Sequence, residues 1–105
     1  MATLRLFIKE SDKPNRVLTG DIWPKGAPDT DPPVVAGVTL RMTEDREFEL
    51  SAGDYVYFFT SSLPGTFVVA IELASASPPH SAPYKVEPYA DVTAGEPLAF
   101  SFKVK

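Results

Sequence analysis

The feature that most limits how this chain can fold is a hydrophobic period of two. Leu98, Phe100, Phe102 and Val104 alternate with Ser101, Lys103 and Lys105. Side chains along a strand point to opposite faces, so such a segment buries one face and wets the other. The same pattern recurs along the chain. Leu4, Leu6 and Ile8 alternate with Arg5, Phe7 and Lys9, and Phe67, Val69, Ile71 and Leu73 alternate with Val68, Ala70 and Glu72. Val38, Leu40 and Met42 alternate with Thr39 and Arg41, and Phe48 and Leu50 with Glu47 and Glu49. Residues 16–23 read as a further strand, ended by Pro24. In 54–60 both faces are bulky, which predicts a central strand with a partly covered outer face. Residues 84–89 read as a weaker strand at an edge, because Pro88 cannot donate to a ladder.

Turn chemistry separates these runs. Asp12-Lys13-Pro14-Asn15, Leu63-Pro64-Gly65 and Thr93-Ala94-Gly95-Glu96-Pro97 are tight-turn sequences, in which Pro presets one backbone angle and Gly accepts a positive φ. Much of the chain's proline sits in two long loops, 24–34 and 74–83, which are too proline-rich to form ladders. No convincing helical pattern appears. The prediction is an all-β chain, a single domain over 1–105, folded as an antiparallel sandwich of seven to eight strands with Greek-key connections. Its core is expected to contain Leu6, Ile22, Leu40, Leu50, Phe67, Val69, Ile71, Phe100 and Phe102. A chain of 105 residues can bury enough surface to fold without staples, and it carries no cysteine for disulfides or thiolate metal sites.

Charge narrows the partners. The net charge is −4 and the cations are scattered singly, whereas binding to phosphates needs them clustered. Nucleic acid is therefore not an expected partner. No run is long enough to insert in a membrane and no signal peptide is evident. With no disulfides, a cytoplasmic location is expected ahead of an excised extracellular module.

Four segments resemble transthyretin-like (prealbumin-like) domains, the group that includes carboxypeptidase regulatory-like modules. Gly20-Asp21-Ile22 resembles their opening Gly-x-Val, and Ala36-Gly37-Val38-Thr39-Leu40 their second strand. Phe48-Glu49-Leu50-Ser51-Ala52-Gly53-Asp54-Tyr55 is similar to their Phe-x-Leu-x-x-Gly-x-Tyr hairpin, and Val92-Thr93-Ala94-Gly95 to their closing turn. The resemblance implies an immunoglobulin-like sandwich used for binding, spacing or assembly. One branch of that fold hydrolyses hydroxyisourate with several histidines and a terminal Tyr-Arg-Gly-Ser. This chain has one histidine and ends Phe102-Lys103-Val104-Lys105, so that activity does not carry over.

No catalytic set is predicted. His80 is the only histidine. It sits between Pro79 and Ser81 in a loop, without a Gly-x-Ser-x-Gly elbow, and reads first as an exposed loop residue. Asp29-Thr30-Asp31 is a pair of carboxylates in a loop, but calcium takes about six to eight oxygens and Asp favours loops on its own account. No metal or other cofactor is expected. Lys9 and Lys85 fall in solvent-facing phases, and the only Asn is Asn15 in a turn, so a Lys–Asn isopeptide is not expected either. Trp23, Tyr55, Tyr57, Tyr84 and Tyr89 carry aromatic faces with polar handles, of the kind that stack sugars or anchor protein interfaces. Tyr55 and Tyr57 belong with the core, and Trp23 at a strand end is the candidate for exposure.

Successive connections in an antiparallel sandwich alternate between its two ends, so the loops at 24–34 and 74–83, both after even-numbered strands, should share one end. The expected ligand surface is therefore Trp23, Asp29, Asp31 and His80. The function expected is a non-enzymatic interaction or assembly module binding a protein partner, or a second copy of itself, through that loop end or an edge strand. A carbohydrate-binding module is the alternative, with a small enzyme or calcium-binding domain behind it.

Overall fold

The computed structural model describes residues 1–28 and 30–105 and is all-β; among them there is no helix. Eight strands form: β1 (Ala2–Ser11), β2 (Val17–Pro24), β3 (Val35–Arg41), β4 (Arg46–Leu50), β5 (Gly53–Ser61), β6 (Gly65–Leu73), β7 (Lys85–Val92) and β8 (Leu98–Val104). They make two antiparallel sheets of four, ordered β4-β1-β6-β7 (sheet A) and β3-β2-β5-β8 (sheet B). The strand at 54–60 is central, between β2 and β8, and the proline-bearing strand is an edge, as expected. One local reading changes. Phe48–Tyr55 is not a hairpin but an arch, since β4 belongs to sheet A and β5 to sheet B.

The apolar phases meet between the sheets. All nine predicted core residues are buried, joined by Leu18, Val38, Tyr57 and Phe59. Tyr57 stacks on Phe59 with ring centroids 4.7 Å apart and donates its hydroxyl to the Val38 carbonyl at 3.0 Å. A buried phenol thus finds its acceptor inside the core, and burial pushes its pKa up. Between β2 and β5 the backbones come so close at Gly20 that any Cβ would overlap the Phe58 carbonyl and the Phe59 backbone. Only glycine fits there, and Gly20→Ala would have to push two central strands apart.

Register fixes the ends. Ala2 pairs with Leu50 and Gly53 with Val104, so the chain's first strand starts where β4 and β8 finish and β5 begins. Pro24 pairs with Tyr55 and Leu73 with Leu4. The loops at 24–34 and 74–84 and the turn at 51–52 therefore share this end, as strand parity predicts. The opposite end holds the short turns at 12–16, 62–64 and 93–97.

That opposite end is closed by Arg16. Its guanidinium is fully buried and each of its five N–H groups has a bond. Nε donates to Ser11 Oγ (2.9 Å), Nη1 to Ser61 Oγ (2.6 Å) and the Leu63 carbonyl (2.5 Å). Nη2 donates to Asp12 Oδ1 (2.6 Å) and the Pro64 carbonyl (3.2 Å). The same group lies 4.6 Å from the centre of the Phe67 ring. A buried charge is tolerable when every donor is satisfied in this way.

Candidate functional site

The expected site residues do not come together. Trp23 follows core-facing Ile22 on β2, so its ring lies on the outer face of sheet B. His80 stacks on Phe7, an outward residue of β1, with ring centroids 3.9 Å apart. The two share an end but sit on opposite outer faces, with the sandwich between them. Asp31 is exposed in the loop that follows the strand of Trp23, with its N–H bonded to the Pro28 carbonyl at 3.0 Å. Asp29 lies outside the described residues. Among the described residues, no three acidic or histidine side chains are arranged to hold a metal ion.

His80 is not a free loop histidine. The 74–84 segment folds back over sheet A and covers Phe7, Ala70 and Glu72, three outward residues that are buried. Glu72 is the post to which the loop is tied. Its carboxylate accepts the backbone N–H of His80 at 2.8 Å and contacts the ring Nδ1 at 2.9 Å. Arg5 Nη1 donates to it at 2.7 Å. Arg5 also donates to Glu47 (3.0 Å) and to the Ala74 carbonyl at the start of the loop (2.9 Å). His80 Nε2 faces Asp45 Oδ2 at 3.1 Å. The backbone of His80 carries a φ of 69°, the left-handed region that costs a non-glycine residue energy unless its surroundings enforce it.

Electrostatics follow from that geometry. Burial pushes the Glu72 carboxyl up, but the bonds from Arg5 and from the His80 backbone and ring outweigh it and leave the pKa below its ordinary value. Asp45, partly buried at the margin, moves the other way because desolvation leads. Both ring nitrogens of His80 face carboxylates, so neither is presented to a substrate. What this constellation does is hold a loop.

The outer face of sheet B is built differently. Two cross-strand rows run over β2, β5 and β8: Asp21–Phe58–Ala99 and Trp23–Val56–Ser101. The small residues on β8 leave a depression beside the large ones, and residues 24–28 of the following loop form a wall over it. That loop is pinned by the Lys25 N–H to the Asp54 carbonyl (2.9 Å) and the Val34 N–H to the Ile22 carbonyl (2.8 Å). The result is a groove of about 580 Å³ lined by Trp23, Pro24, Pro28, Val56, Phe58 and Ser101, among others. Its volume lies within the roughly 300–1,000 Å³ of ligand-sized pockets. Phe58 stands 52 % exposed in it, in the middle of a central strand. The alternation of 54–60 puts Val56 and Phe58 on one face, but sequence alone does not show that Val56 is covered while Phe58 beside it stands half exposed.

The sheet edges are guarded. Along β8, Tyr89 of β7 donates its hydroxyl to the Ala99 carbonyl at 2.7 Å, and Lys85 donates its ammonium to the Ser101 carbonyl. Lys85 therefore points across the sandwich margin, over the Phe100 ring, and not into solvent as expected from the sequence. On β3 an extra residue makes a bulge opposite Asp21, whose carboxylate accepts the Gly37 N–H at 2.8 Å where Gly37 has a φ of 65°. Strand β4 is five residues long and carries Glu47 and Glu49, and β7 holds Pro88. Caps, bulges, shortness, charge and proline are the devices that keep an edge from templating another strand.

No protein-family model matches the chain, and comparison with curated proteins and with solved structures gives no significant match.

Proposed function

We propose that this protein is a non-enzymatic interaction module that binds an extended segment of a protein partner in the groove between Trp23 and Phe58. The observation that carries the reading is the exposure of Phe58 on a central strand, beside the only tryptophan and under a pinned proline-rich loop. An apolar ring that folding leaves in water gains free energy when a partner covers it, and aromatic anchors in a depression are the usual centre of an interface. The guarded edges weigh against strand addition and favour the loop end of the two routes weighed from the sequence. Greek-key, prealbumin-like connectivity and transthyretin-like kinship stay part of this proposal. They rest on Gly20, where only glycine fits, while the Phe48–Tyr55 arch departs from the hairpin of that family.

A carbohydrate ligand is the second reading, favoured by one feature: Trp23 and Phe58 stand on a sheet face beside Asp21, Lys25 and Ser101, so rings and hydrogen-bonding groups lie together. The two readings part in one experiment. A displayed peptide library and a glycan array are probed with the wild-type protein and with Trp23→Ala. Peptide hits lost in the variant support the first reading, and glycan hits lost in it support the second. Hits on either that survive Trp23→Ala refute the groove as the site.

A further inference from the structure

Away from that groove, a second opening lies where the two sheets part at the loop end, between the β7 and β8 margins. It encloses about 530 Å³. Its depth is set by Leu4 and Val104, both buried core residues, and its walls by Ala2, Leu73 and Tyr84. Leu73 and Tyr84 are 48 % and 46 % exposed, so the hydrophobic core is incompletely closed on this side. Charge at the mouth is one-signed. Lys85, Lys103 and Lys105 line the opening and no acidic residue does, in a chain whose net charge is −4. Lys85 is already bonded to the Ser101 carbonyl, while among the described residues no ion pair within 4 Å involves Lys103 or Lys105, Asp54 being the cross-strand neighbour of Lys103.

We infer that this inter-sheet cleft binds a free medium-chain fatty acid, its alkyl chain between Leu4, Leu73 and Val104 and its carboxylate at Lys103 and Lys105. An apolar groove floored by Leu4 and Val104 and walled by half-exposed Leu73 and Tyr84 suits an unbranched alkyl chain, which gains free energy for each methylene it withdraws from water. A carboxylate head is selected by the ammonium groups that line the mouth. Neutral apolar ligands would leave those charges unanswered, and cationic amphiphiles would meet repulsion. The cleft belongs to the β7–β8 margin, whereas the Trp23 groove lies on the outer face of sheet B, so each site stands or falls independently.

The test is a titration with dodecanoate below its micelle concentration, followed by backbone amide shifts and by calorimetry. Saturable one-to-one binding is expected, with shifts at Leu4, Leu73 and Val104 and none at Trp23. The double variant Lys103→Glu/Lys105→Glu should weaken it roughly tenfold or more, as should replacing dodecanoate by 1-dodecanol. Leu73→Asp, at a half-exposed position, should abolish it while circular dichroism shows the strands intact. No binding, binding that both variants leave unchanged, equal binding of dodecyltrimethylammonium, or shifts confined to the Trp23 groove would each overturn the inference.

Discussion

At one end of the sandwich a single buried guanidinium ties two short turns together and leaves no donor unused. At the other, loops of about ten residues are pinned at chosen points, and between the pins an aromatic groove and an apolar cleft stay open. The two arginines make the contrast sharpest. Arg16 is sealed among carbonyls, hydroxyls and one carboxylate. Arg5 sits at the surface of sheet A, where its partners Glu47, Glu72 and Asp45 hold down the 74–84 loop. One end is built for closure. The other spends its polar interactions on positioning loops and leaves apolar surface unspent, which is the arrangement of a scaffold that presents a surface.

The largest effect should come from breaking the closed end. Arg16→Met removes five bonds and the cation packed on Phe67. Ser61, Leu63 and Pro64 keep the Leu63 N–H, the Ser61 hydroxyl and the Lys13 ammonium as partners, so the cost should be about 3 kcal/mol. Thermal unfolding should show a fall of roughly 15 °C for a domain of this size. Arg5→Met should cost less, about 1–3 kcal/mol, because Glu72 keeps the His80 backbone and ring as partners. Its signature is local: amide exchange should quicken at Ala74 and His80 and stay unchanged at Gly95, whose N–H bonds Ser61 at the closed end. Equal losses from both arginines, or protection lost at both ends together, would erase the distinction between them.

Acid should loosen the open end first. The Glu72 pKa is lowered on folding from an ordinary 4.5, so its contribution is fully present above that value and is lost as pH falls through the lower folded one. Asp12 shifts in the same direction through its bond to Arg16, but it is exposed and screened by solvent. Asp45 acts oppositely: its raised pKa favours the folded state at low pH and that contribution fades as pH rises. The part of the acid-induced fall in melting temperature that Glu72 contributes should therefore set in only below about pH 4.5. In Glu72→Gln that part should vanish. An unchanged acid profile in the variant would show that another group fastens the loop.

Much of the architecture was legible in the sequence, because a period of two with turn punctuation leaves few alternatives. Phe100, Ile71 and Leu40 declare their face by alternation alone, and strand parity sends both long loops to one end. What alternation cannot say is which outer faces are covered. Phe7 and Glu72 are outward by phase yet buried, since the loop that covers them lies some 65 to 75 residues from Phe7 in the chain. Phe58 is outward by phase and bare. The pairing of Trp23 with His80 failed for the same reason: a shared end does not imply a shared face. Lys85 lies on the inward face of β7, opposite core-facing Ile71 and in phase with Tyr89, while apolar Val86 is the exposed residue. At an edge strand the inward lysine can reach across the margin to a carbonyl of the facing sheet.

The smallest effect on stability should attend the largest effect on binding. Phe58→Ser removes a ring that is half in water and has no core to collapse into, so its unfolding free energy should stay within about 0.5 kcal/mol of wild type. The central claim is that this ring is kept for a partner and not for the fold. Phe58→Ser and wild type are compared in parallel by thermal unfolding and by titration with a peptide selected on the wild-type protein, read from the emission of Trp23. An unchanged melting temperature with at least a roughly tenfold loss of affinity is the result expected. A protein that melts well below wild type, or one that binds the peptide as tightly as before, would contradict it.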